Sequence, residues 1–348
     1  MGRIWRDSEN DPIPVTLDRQ KMIMRGTGAV VASFACLAFG GCAGDASVES
    51  PSIAAPPSPS AQPPAGAKIV ATIPVGRRPG GIVVAEGAVW VKNHADQTVS
   101  RIDPVTNTLT ATIRIGRGEF GYVAAGEGSI WVTNNDANTV SRIDPRSNTV
   151  VATIPVGENP QGIAVGSGSV WVANHRAGSV SRIDTATNRV SAVIEGEQLC
   201  CSPQAVATST GAVWVTVPDP DKRHVVRIDP ATNGVVATIA VGDDGGRLTV
   251  TEDAVWAATS TRNVAKIDPA TNTVSSMVDA GATAFGAAAG LGSIWVTSPG
   301  ASLIRIDPRG NRVVGALRIA GAVFPAVGEG AVWVSSETTN TVVRVEPV

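Results

Sequence analysis

The sequence predicts an all-β fold, a seven-bladed β-propeller of four-stranded blades. Three observations predict it. A Trp set among apolar residues recurs as Trp90, Trp131, Trp171, Trp214, Trp256, Trp295 and Trp333, at spacings of 41, 40, 43, 42, 39 and 38 residues. A period near 40 marks a repeat architecture whose units bury their apolar faces only by stacking. Each unit holds four short runs rich in Val, Ile and Trp, separated by Gly, Asn, Asp and Pro turns, the pattern of four antiparallel strands. No segment after residue 66 carries an apolar stripe of helical spacing and length.

One unit shows each element in turn. Gly162-Ile163-Ala164-Val165 is a first apolar run, and a small turn follows at 166–169. Val170-Trp171-Val172 is the second run, apolar at every position as a sheet covered on both sides requires. After the polar turn 174–178, Val180–Asp184 alternates apolar and polar residues. The turn Thr185–Asn188 leads to the last run, Val190–Ile194. A β-solenoid needs a shorter period, and a single sandwich has no reason to repeat a core Trp seven times.

The seventh unit ends at Val342–Val348 without a fourth run. The segment Lys68–Gly76, KIVATIPVG, nearly repeats the fourth run of the second unit, VVATIPVG. The sequence therefore predicts that residues 68–75 complete the last blade and remove an exposed sheet edge. Strict alternation would place Ile69, Ala71, Ile73 and Val75 on one face.

The repeat VWVTNxxxNTVSRIDPxTNxVxATIPVG resembles the YVTN-type propeller repeat and is similar to the virginiamycin B (streptogramin B) lyase group. The likeness spans residues 67–348. It implies the propeller fold; for the lyase group it also implies a Mg²⁺ held by carboxylates and a His acting as acid–base. The chain departs from that group at the residues that matter. It lacks a Glu-x-His pair, and its repeats read Trp-Val-Thr-Asn or Trp-Val-Ala-Asn rather than Trp-Phe-Thr-Glu. No catalytic residue carries over, and no HExxH, GxSxG or P-loop pattern is present.

The formal net charge is −2 with no basic stripe, which excludes a nucleic-acid partner. Residues 29–39, AVVASFACLAF, are too short to span a bilayer, which takes about 20 residues. They follow Lys21 and Arg25 and precede Phe39-Gly40-Gly41-Cys42, which resembles a bacterial lipobox. Residues 1–41 thus read as a signal peptide region, with translation starting at Met22 or Met24 because 1–20 carry four acidic residues. Residues 42–66 read as a lipidated Cys42 followed by a Pro/Ala/Ser-rich linker, and 67–348 as the propeller. The expected protein is an exported lipoprotein, anchored as a monomer to the extracytoplasmic side of a bacterial membrane.

The recurrent Ser-Arg-Ile-Asp-Pro element reads as structural. Its Arg and Asp share a strand face, bridging locally or to the next blade, and Asp-Pro opens a turn in which Asn takes the left-handed position. Function then falls to what the blades do not share. The loops before strand one and between strands two and three reach one face, the top. Top loops carry Phe120, Tyr122, Phe285, Phe324 and all three His residues, His94, His175 and His224. Bottom turns such as Glu86-Gly87 are short and uniform. The predicted ligand site is formed by Arg77, Arg78, His94, Arg117, Glu119, Phe120, Tyr122, Asn135, Glu158, Gln161 and His175 over blades one to three. Blades four to seven offer mostly small or apolar residues there, with Asp243, Asp244 and Arg247 as exceptions. Cys200 and Cys201 are adjacent thiols that form either a strained disulfide or an inert pair. The expected role is a binding module for a small molecule or protein, without a cofactor. A Mg²⁺-dependent C–O lyase and a non-catalytic envelope scaffold are the alternatives.

Overall fold

The computed structural model describes residues 66–200, 202–218, 223–242, 246–299 and 302–348. The signal region 1–41, Cys42, the linker to residue 65, Cys201, Asp243 and Asp244 lie outside the described residues. Twenty-eight strands form seven four-stranded antiparallel sheets, and no helix occurs among the described residues. Blade one is Pro79–Ala85, Ala88–Asn93, Thr98–Asp103 and Thr108–Arg114. Blades two to six open at Val123, Pro160, Val206, Leu248 and Gly286. First strands of neighbouring blades contact one another around the whole ring, so they line the axis.

Blade seven is built from both ends of the propeller. Ala322–Gly328, Ala331–Ser336 and Thr341–Pro347 are joined by Ala67–Pro74, paired as Lys68 with Glu346 and Ile73 with Val342. The predicted closure forms, but alternation along the closing strand does not hold. The register shifts between Ile69 and Ala71, so Ile69 turns outward at 46% exposure while Ile73 stays in the core. A similar shift recurs between strands three and four of blades one to six, after Arg101, Arg142, Arg182, Arg227, Lys266 and Arg305. A bulge there bends the outer strand and increases its twist.

The repeat Trp residues are the core of the ring, each 0–1% exposed. Their indole N–H groups are satisfied locally. Trp90 Nε1 donates to the Ala85 carbonyl at 3.1 Å and Trp171 Nε1 to that of Gly166 at 3.1 Å. In blade four Trp214 Nε1 reaches Ser209 Oγ at 2.9 Å. A buried indole with its one donor paired packs at little polar cost.

The Arg of each Ser-Arg-Ile-Asp element does not, in general, pair with its Asp. Its guanidinium stacks on the Trp of its own blade, at 4.9 Å for both Arg142 and Arg182. In blades two, three, four and seven it also donates into the bottom turn of the next blade. Arg182 Nη1 bonds the Pro230 carbonyl at 2.7 Å and Asn233 Oδ1 at 3.0 Å. Arg344 makes the same bonds to Pro104 and Asn107, from blade seven to blade one. The Asp caps its own turn instead: Asp103 Oδ1 accepts from Val105 and Thr106 N–H at 2.8 and 3.0 Å. Those N–H groups hold its carboxyl below the usual range. Among the described residues, one such strand pair forms an ion pair, Arg344 with Glu346 at 3.3 Å. The turn Asn residues take φ of 49–59° from Asn107 to Asn311, as the sequence predicts. Bottom-face polarity is thereby used up in holding blades together.

Candidate functional site

On the top face the axis opens into a cavity of about 270 Å³. Five predicted residues line it: Arg78, His94, Phe120, Tyr122 and Gln161. They meet Gln204, Arg247, Phe285, Phe324 and Glu337 from blades four to seven. The site is therefore centred on the axis rather than over blades one to three.

Its floor is aromatic with a cation in it. Tyr122 and Phe324 meet edge to face with centroids 5.5 Å apart, and Phe285 lies 5.4 Å from Phe324. Arg247 reaches from blade five across the axis and stacks on the Tyr122 ring of blade two at 4.0 Å. The Phe324 and Phe285 rings stand 5.1 and 5.6 Å away. Arg247 is only 9% exposed, and its Nε and Nη1 are buried without hydrogen-bond partners. Burial pulls its pKa down to about 9. Below it a second space of about 140 Å³ continues along the axis, bounded by the same Arg247, Tyr122 and Phe324.

The wall from blades one and two is fixed by buried polar side chains. Lys92, fully buried, donates to the carbonyls of Phe120 and Thr133, both at 2.8 Å. Burial lowers its pKa to about 7, opposed by the charge of Asp136. The chain passes Lys92 through Gly121 at φ 145°, where a Cβ would collide with Nζ. Phe120 N–H is held by Asn135 Oδ1 at 3.1 Å, leaving the Phe120 ring 53% exposed at the mouth. His94 is buried 6.2 Å from that ring, with Nδ1 unpartnered. Burial first, then the charges of Lys92 and Arg78, lower its pKa to about 3, so it is a neutral imidazole at physiological pH. Arg78 is spoken for: its Nε donates to Glu337 at 2.9 Å and its N–H to Asn340 Oδ1.

The remaining predicted residues stand outside this cavity. Arg77 pairs with Asp96 at 2.7 Å on the rim. Asn135 acts from behind Phe120, and the Glu119 N–H bonds Asp136 at 3.3 Å. Arg117 and Glu158 contribute backbone carbonyls to loop hydrogen bonds. His175 Nδ1 contacts the Ser202 carbonyl at 3.1 Å, and His224 Nε2 contacts the Gln198 carbonyl at 2.9 Å. Cys200 is exposed, with Sγ 3.0 Å from the Glu197 carbonyl. Its pairing with Cys201 falls outside the described residues.

Sequence reasoning set Arg247 aside as an exception and left Phe285 and Phe324 out of the site. The signal for Phe285 and Phe324 was their presence in top loops of an aromatic-poor chain. For Lys92 the signal was register. Two residues past each repeat Trp the other blades carry Thr133, Ala173, Thr216, Ala258, Thr297 and Ser335, and blade one alone carries Lys.

The donor set does not suit Mg²⁺. Among the described residues the cavity's one carboxylate, Glu337, is bound by Arg78, and the buried Arg247 guanidinium lines the same cavity. Among the described residues no three His, Cys, Asp or Glu side chains converge. A wider depression of about 910 Å³ opens on the bottom side between blades five and six. Of its charged groups, Lys266 is engaged by Asp253 and the Pro308 carbonyl, and Asp307 by its own turn.

No protein-family model matches the chain, and no curated protein matches it in sequence. Solved structures do. Virginiamycin B lyase from Staphylococcus aureus is similar over 81% of this chain and 100% of its own, at TM-score 0.70 and 18% identity. Kuenenia stuttgartiensis hydrazine synthase is similar over 78% of this chain and 96% of the matched chain, at TM-score 0.69 and 16% identity. At such identities these likenesses show the fold, and the fold hosts unrelated functions. The chain folds as a seven-bladed β-propeller of the kind found in virginiamycin B lyase.

Proposed function

We propose that the protein is a membrane-anchored, extracytoplasmic binding module that takes its ligand in the top-face axial cavity, without catalysis. One observation carries the reading: three aromatic rings converge at the mouth of the ring on a buried guanidinium whose Nε and Nη1 have no partner among the described residues. Concave, mostly apolar sites with a few convergent polar groups are the usual form of small-molecule receptors. Acid–base work by His94 finds no support, because a group with pKa about 3 is neither a ready acid nor an effective base near neutrality. His175 and His224 are held by loop carbonyls instead. The anchor rests on the short apolar run, the Gly-Gly-Cys42 sequence and the Pro-rich spacer.

Two experiments test the reading. A fragment library screened by ligand-observed NMR should give hits that Phe120→Ala/Gln161→Ala abolishes and Glu86→Ala leaves intact. Hits kept by the first variant and lost by the second would put the receptor on the wrong face. Membrane fractionation of Cys42→Ser should release the protein; equal retention refutes the anchor.

A further inference from the structure

We propose that the axial cavity is an anion receptor: Arg247 takes a carboxylate or phosphate group, and Tyr122, Phe285 and Phe324 take the flat apolar body that carries it. The inference deepens the binding-module reading and rests on it.

The argument is one of unbalanced charge. A guanidinium taken out of water needs a counter-charge or a full set of hydrogen bonds. Arg247 has neither among the described residues. No ion pair reaches it, and Nε and Nη1 have no acceptor. The faces of three rings offset part of its lost hydration, but a ring face supplies no acceptor in the guanidinium plane. The nearby groups do not supply one either. Glu337 is turned to Arg78 at 2.9 Å. Gln161 donates through Nε2 to Asn159 Oδ1 at 3.2 Å, and its Oε1 does not accept from Nε or Nη1 of Arg247. His94 is neutral. With Arg78 and Glu337 cancelling, the described lining residues hold one uncompensated positive charge.

Guanidinium edges match carboxylate and phosphate oxygens in plane, two bonds at a time. Such a ligand would leave the stacking on Tyr122 in place, because stacking uses the face of the group and the anion uses its edge. Burial lowers the pKa of Arg247, and a bound anion beside it would raise it again. The exposed Phe120 ring at the mouth gives an apolar body a further surface.

The test compares benzoate, phenyl phosphate and benzamide on the full-length protein by calorimetry at low salt. Benzoate or phenyl phosphate should bind at least tenfold more tightly than neutral benzamide, and the tighter of the two tells carboxylate from phosphate. Arg247→Gln should reduce the anion to the benzamide level, with the melting curve recorded to show a folded protein. If that variant unfolds, the anion-to-amide ratio on the unaltered protein decides alone. Equal affinity for benzoate and benzamide, both lost in Phe285→Ala, overturns the anion preference and keeps the receptor. Benzoate binding unchanged in Arg247→Gln overturns it too. No binding by any of the three also overturns it, while hits in the fragment screen still uphold the cavity.

Discussion

The two faces of the ring use the same residue type in opposite ways. On the bottom, Arg182 stacks on Trp171, and its Nη1 is satisfied by the Pro230 carbonyl and Asn233 of the next blade. At the top of the axis, Arg247 stacks on Tyr122, and its Nε and Nη1 find no partner among the described residues. Stacking is common to both; only the in-plane partner differs. An Arg with both is mortar, and an Arg with one is a site in waiting. The bottom arrangement recurs in several blades, while the top one occurs once among the described residues.

The largest expected effect comes from removing the mortar's support. Trp171→Ala deletes a fully buried indole and the platform under Arg182. Large-to-small changes of this kind cost about 3–5 kcal/mol. The urea midpoint should fall accordingly, with fragment binding at the axis unchanged under native conditions. Unaltered stability would mean that the Trp is not a core residue.

A middle-sized effect sharpens the comparison within the bottom face. Arg182→Met loses two inter-blade hydrogen bonds, at about 1 kcal/mol each net. Arg101→Met should cost less. Its Nε is buried without a partner, as is Oδ1 of Asn148 in the neighbouring blade's turn. Equal losses in melting temperature for the two variants would show that stacking on Trp, not the bond to the next blade, does the holding.

A further effect is a pH slope. Lys92 titrates near 7 when folded and near the ordinary lysine value of 10.5 when unfolded. Between these values the unfolded chain binds the extra proton, so stability rises with pH and levels off above that window. Denaturant titrations at pH 7 and pH 10 should show the unaltered protein gaining stability relative to Lys92→Thr, which takes the residue blade two uses. Parallel pH profiles for the two proteins would contradict a neutral buried Lys92 at high pH.

Strand count, blade number, core Trp and ring closure were legible in the sequence, because each depends on local periodicity repeated seven times. A period-2 pattern broken by Asn and Gly turns leaves a segment such as 162–194 little else to become. The bulge that turns Ile69 outward was not legible, since register depends on the partner strand. Nor was the fate of the Arg–Asp elements. Their spacing puts both on one strand face, and only the neighbouring blade offers Arg182 the turn of Asn233 in place of Asp184. The site divided the same way. Sequence placed Arg78, His94, Phe120, Tyr122 and Gln161 in top loops, because loop order follows strand order. That Tyr122 and Arg247, 125 positions apart in the chain, lie face to face at 4.0 Å was decided by closure of the ring, which brings blades two and five to a common axis.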